Sequence, residues 1–391
     1  MRSRQASFRR EPIIALTLRF VTRKDLVDSE LRGQAARQMV AEDARWAMDV
    51  ILSGQRHPRL SPFVPLILGH HFVRIAYEGA QTLRSSNPHV GVPELARLFG
   101  DEYTSVTARA RHVTKLLDDT KKTYENVIAE FDGIAREHHD QFTGNALRWA
   151  RRFETDLGLY LLDGRLIGAT WPAAFRLGLG MTTDGTISGH DLHAVTEEWG
   201  GMLAVLGAAT LDRPVPIATL DLSQMPRIDG RDKRADRYFP ERFETAFPDG
   251  LKVLLIAIEG EMNTLSTFAV HTEHGHEYAV FRARAVALYH SLSALTRVSD
   301  RYASLCTDGM TALRDLLASL PAQSLLSRPG QMVRNRCMHY EIRDARVVID
   351  PSTPMFGIVE SVFPGKAFPD LATEVTSVMA RVAELLRDWR P

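Results

Sequence analysis

Apolar residues recur at steps of three and four along most of this chain. In residues 29–51 they fall at Leu31, Ala35, Met39, Ala44, Met48 and Ile51, the pattern of a helix with one face on a core. Pro58, Pro62 and Pro65 interrupt it. A second helix is predicted over 66–83, stopped by the turn-forming Ser-Ser-Asn-Pro at 85–88. Residues 102–137 interleave acids and bases (Lys115, Asp118, Asp119, Lys121, Lys122), which predicts a long helix or helix pair with a solvated face. In 146–162, Trp149, Phe153, Leu157 and Tyr160 again keep helical spacing, so a core-facing helix is expected there.

Residues 212–250 are rich in Pro, Asp and Arg, and a domain boundary is placed inside them, separating an N-terminal helical domain (1–245) from a C-terminal one (246–391). The second half reads as a helical bundle. Helices are predicted over 251–270, 280–302, 310–320, 328–340 and 371–389, with a short β-rich or extended excursion over 345–359. The strongest is 280–302, where Phe281, Ala285, Leu288, Leu292, Leu295 and Tyr302 make a heptad-like stripe suited to a partner helix. The fold class expected is mainly α.

Composition narrows the picture. With 45% hydrophobic and 25% charged residues and zero formal net charge, this is the balance of a globular chain, not one coated in positive charge for long-range capture of nucleic acid. Two cysteines cannot form a disulfide framework, and a reduced cytoplasmic setting is expected. The basic start of the chain (1–12) reads as a disordered arm with no secretory apolar region behind it, and 13–22 as a strand or helix start. The most apolar windows, 62–68 and 251–258, fall far short of the roughly 20 residues of a membrane span.

Chemistry concentrates in Arg334-Asn335-Arg336-Cys337-Met338-His339-Tyr340. On a helix Asn335 and His339 share a face, whereas Arg334 stands about 140° around from His339. A histidine that exchanges protons near neutrality, beside an arginine able to grip a phosphate bidentately, suits attack on a phosphodiester without a metal. Arg328, Arg336, Arg343 and Arg346 make the surroundings basic, and the first three are candidates to bind substrate. Asp184 to Asp191 resembles half of a calcium loop whose first half lacks carboxylates. His271, His274 and His276, with Glu273 and Glu277, are the alternative metal ligands, and they would support a metal-dependent hydrolase. His70-His71 reads as a pair of packing histidines, and His290 as a second contributor to a cleft.

Arg334-Asn335, three residues, then His339 resembles the signature of the HEPN superfamily of helical-bundle ribonucleases, over roughly residues 246–391. The resemblance implies a metal-independent endoribonuclease needing no cofactor, with Arg334, Asn335, His339 and Tyr340 as catalytic residues and RNA as substrate. It also implies a homodimer with two motifs facing one cleft, and a toxin or antiviral defence setting with a regulatory partner. Tyr340 departs from the pattern, since the toxin branch carries its tyrosine two residues after the histidine. Many superfamily members are inactive, so a nucleic-acid- or protein-binding module is the alternative.

Overall fold

The computed structural model describes residues 23–86, 115–118, 122–144, 146–147, 149–177, 199–207, 220–342, 344 and 347–391. The basic arm, segment 13–22, the partial calcium loop and Arg343 lie outside them. The described residues are mainly helical with one small sheet.

Helix α1 (Arg23–Gln55) and helix α2 (Phe63–Ser86) form an antiparallel pair around the proline turn. Helix α3 (Tyr124–Phe142) starts where Thr123 caps it, its hydroxyl accepting from the Asn126 amide at 3.3 Å. The chain before it folds into a short 3-10 turn (Leu116–Asp118), so the charge-mixed region is broken at this point.

Residues 146–162 do not form the expected helix. A 3-10 turn (Ala150–Phe153) leads into strand β1 (Leu157–Leu162), and Trp149 and Phe153 lie exposed. Helical spacing was coincidental, because Leu157 and Leu159 are buried with period two. Asp163-Gly164, at φ 50° and 75°, then turns the chain into strand β2 (Arg165–Ala169), the two-residue loop that Asp-Gly favours. Helix α4 (Thr170–Leu177) follows directly. Strand β3 (Ile228–Lys233) pairs antiparallel with the other edge of β1, giving the order β2-β1-β3. The stretch read as a linker therefore supplies a strand and helix α5 (Ala235–Arg242).

Helix α6 (Asp249–Asn263) is buried from Gly250 to Asn263. It packs on β2 so closely that a Cβ on Gly260 would lie 3.2 Å from the Gly168 amide nitrogen. With the turns that continue it to Thr272, α6 is the one segment among the described residues long and apolar enough to cross a membrane; 83% of its apolar window is buried inside the fold. Helix α7 (Glu277–Arg301) runs through the core with α1, α10 and α12 against it. Its stripe, Phe281, Ala285, Leu288, Leu292 and Leu295, is covered within the chain, so it offers no face to a partner helix.

Helices α8 (Asp308–Ala318), α9 (Leu320–Leu326) and α10 (Arg328–His339) follow in short steps. The corner before α10 requires glycine, since a Cβ on Gly330 would sit 1.9 Å from the Leu325 carbonyl oxygen. The expected β-rich excursion is a loop at its described positions, with Met355 and Phe356 in left-handed conformation before the single turn α11 (Ile358–Val362). Helix α12 (Phe368–Arg387) closes the core through Leu371, Val375, Met379, Val382 and Leu386. One hydrophobic cluster runs from Ala35 to Trp389 and includes residues from both proposed halves.

Candidate functional site

Ser327 caps α10, accepting from the Gly330 amide, and Pro329 occupies its first turn. The helix stops at His339 because Tyr340 is left-handed (φ 56°), with its amide still bonded to the Arg336 carbonyl at 3.0 Å. A tyrosine in that conformation costs roughly 1–2 kcal/mol. Burial and hydrogen bonding offset the cost, because the phenol is fully buried and donates to Asp43 Oδ2 at 2.6 Å.

Asp43 is the centre of a buried ion cluster. Arg282 Nε donates to its Oδ1 at 2.8 Å and Arg74 Nη2 to its Oδ2 at 3.2 Å. Arg282 also meets Glu42 at 2.8 Å, so two arginines face two carboxylates. Burial works against the charge on Arg282, but Asp43 and Glu42 outweigh it and raise its pKa. Burial pushes Tyr340 well above the ordinary phenol range, which keeps it a neutral donor. The Cys337 thiol is pushed up to about 12 by the same desolvation and is no nucleophile.

The end of α10 is held by α2. Arg74 Nη1 donates to the Cys337 carbonyl at 2.9 Å and Thr82 Oγ1 to the His339 carbonyl at 3.0 Å, satisfying carbonyls that a helix end leaves open. Glu78 Oε2 lies 2.8 Å from His339 Nδ1. The carboxylate is nearly buried and the imidazole 37% exposed. A carboxylate accepts only, so Nδ1 carries the hydrogen and Nε2 is left as the ring's acceptor. His71, Arg74, Glu78 and Thr82, at steps of three, four and four, form a buried polar stripe on an otherwise apolar helix.

His339 opens on a pocket of about 570 Å³ lined by Glu78, Gln81, Thr82, Asn335, Arg336, His339 and Glu341. Asn335 and His339 thus share a face. Arg334 does not line the pocket. Its guanidinium lies 4.5 Å from the centre of the Tyr289 ring, on the α7 side, and Nη1 donates to Asn335 Oδ1 at 2.8 Å. Arginine reaches the pocket through Arg336 instead. Tyr340 points away into the Asp43 cluster and is out of reach of a substrate. Arg328, eleven residues before His339, stands about 16 Å away along the helix at 1.5 Å per residue. His290 is buried in α7 and does not line the pocket.

The His271–Glu277 cluster is dispersed. His276 Nε2 pairs with Asp49 at 2.9 Å, Glu273 takes both ends of the Arg284 guanidinium, and His271 and His274 are exposed. Nor does it form a metal-sized donor group among the described residues; the one such group there is His70, His71 and Glu261. Another carboxylate–histidine pair, Asp156 Oδ2 to His139 Nδ1 at 2.9 Å, borders a separate cleft of about 550 Å³. There Asp132, Asp236 and Asp249 outnumber Arg136, and the acidic lining repels a phosphate. Of these two clefts, the α10 pocket is the one that sets an oriented imidazole beside an arginine and a carboxamide.

Glu78 was not singled out from the sequence. Its signal was available, namely a charged residue recurring in register with His71, Arg74 and Thr82 on an apolar helix. No protein-family model, no curated protein and no solved structure matches the chain.

Proposed function

We propose that the chain is a HEPN-type endoribonuclease that cuts RNA without a metal ion. The observation that carries this reading is the His339 imidazole tied through Nδ1 to Glu78 and lining a pocket shared with Asn335 and Arg336. In the reaction the ribose 2′-oxygen bonds to the adjacent phosphorus and the bond to the 5′-oxygen breaks. The 2′-hydroxyl proton leaves and a proton arrives on the 5′-oxygen. His339 serves one of these transfers. Arg336 stabilises charge on the non-bridging oxygens, and Asn335, steadied by Arg334, orients the phosphate.

The family resemblance adds a homodimer, whose second His339 would take the other proton transfer, and a cytoplasmic toxin or antiviral role under a regulatory partner. With α7 buried in its own chain, the pair would form around the α10 pocket face. A second reading has its own observation: Arg334, the first residue of the signature, is packed over Tyr289. That suits a binding module that holds RNA without cutting it.

The test is cleavage of an RNA pool by purified protein in EDTA, beside His339→Ala and Arg336→Ala. Cleavage lost in both variants supports the nuclease. RNA binding without cleavage by the wild-type chain supports the binding module.

A further inference from the structure

We propose that His70, His71 and Glu261 form a buried divalent transition-metal site that fastens α2 to α6. His70 Nε2 lies 2.8 Å from Glu261 Oε2 and His71 Nε2 2.6 Å from Glu261 Oε1, and all three donor atoms fall within 4.8 Å of one another. The side chains are almost wholly buried, at 2%, 2% and 5% exposure. Two imidazoles and a carboxylate are the donor set zinc takes with one further position left over. Their separation is close to what an ion would need. Ligands about 2.05 Å from a tetrahedral ion stand about 3.3 Å apart, so each histidine–carboxylate pair opens by about 0.5–0.7 Å on loading.

The surroundings hold the donors in place. Trp46 packs edge-on to His71. Just beyond Glu261, Asn263 Nδ2 and Thr264 Oγ1 donate to the Leu166 and Ile167 carbonyls of β2 at 2.9 and 2.7 Å, anchoring the carboxylate's helix to the sheet. Immediately afterwards α6 gives way to a π-helical turn (Thr264–Phe268), a feature frequent at functional sites.

The site lies on α2 two turns before Glu78, about 10 Å at the helical rise, so loading it would also fix the helix that orients His339. No step of RNA cleavage runs through the ion, and the inference stands without the nuclease reading.

The experiment uses the whole chain, untagged, stripped with chelator and titrated with Co(II). Expected are one cobalt per chain, visible bands of a low-coordinate nitrogen–oxygen site, and displacement by zinc. Glu261→Gln and His71→Gln should abolish the bands, whereas the surface control His274→Ala should keep them. With zinc at a hundred times Kd, Tm should rise by about 3 °C for a chain this long. Should a core variant fail to fold, the wild-type titration decides. No saturable cobalt binding to the wild-type chain, or binding lost in His274→Ala, overturns the site.

Discussion

Asp43→Asn is the sharpest test of how the candidate pocket is held together. The substitution keeps the shape of the side chain but removes the one charge that both Arg74 and Arg282 face, each of them fully buried. Only Glu42, at the edge of the cluster, still balances Arg282. Breaking a buried pair by removing one partner typically costs about 3–5 kcal/mol, because the remaining charge has lost its counterion. At about 2.1 cal/mol/K per residue, 391 residues give an unfolding entropy near 0.8 kcal/mol/K, so Tm should fall by about 4–6 °C. Tyr340→Phe removes the hydrogen bond donated to Asp43 and the weaker one accepted from Arg74 Nη1 at 3.3 Å, and should cost about 1.5–3 kcal/mol, or about 2–4 °C. Differential scanning calorimetry of the three proteins reads both shifts. A fall below 1 °C in Asp43→Asn, or a larger fall in Tyr340→Phe, would refute the cluster's assigned role.

Other expectations follow from the same geometry. Glu78→Gln should leave the fold intact and slow RNA cleavage roughly ten- to hundredfold, because a carboxamide no longer fixes the histidine tautomer; an unchanged single-turnover rate would exclude an orienting role. His138 is buried and its pKa is lowered to about 4 by desolvation, against 6.5 unfolded. Between those values the unfolded chain binds the extra proton, so stability falls as pH drops from about 6.5 to 4, by up to roughly 2–3 kcal/mol. His138→Phe should flatten the Tm-against-pH curve in that window, and an unaltered curve would contradict the assignment. Gly330→Ala must displace the Leu325 carbonyl and should destabilise by at least about 2 kcal/mol, read as a lower urea midpoint.

Much of the helical architecture was legible because periodicity survives wherever a helix has one wet face. Helix α12 reads directly from Leu371 to Leu386, and α10 from its Ser327-Arg-Pro start. The central helix α7 was found, but its stripe was read as a partner face. A helix buried on nearly all sides shows the same apolar repeat as one seam of a coiled coil, and only the surrounding helices tell the two apart. The β1–β2 hairpin was lost to an accidental 4-4-3 spacing, although Asp163-Gly164 marked its turn. Asn335 and His339 could be placed on one face from spacing alone. Glu78 and Asp43 could not, since each meets α10 across more than 250 residues of sequence. The likeness of a charged, exposed stripe to a buried polar one in sequence explains why α2 looked inert.

RNA cleavage at the proposed α10 site runs by internal attack of the 2′-oxygen. Product ends test it most directly. RNA incubated with the purified chain in EDTA should yield 2′,3′-cyclic phosphate and 5′-hydroxyl termini, and none with His339→Ala. Fragments bearing 3′-hydroxyl and 5′-phosphate ends, or cleavage that persists in His339→Ala, would contradict the account.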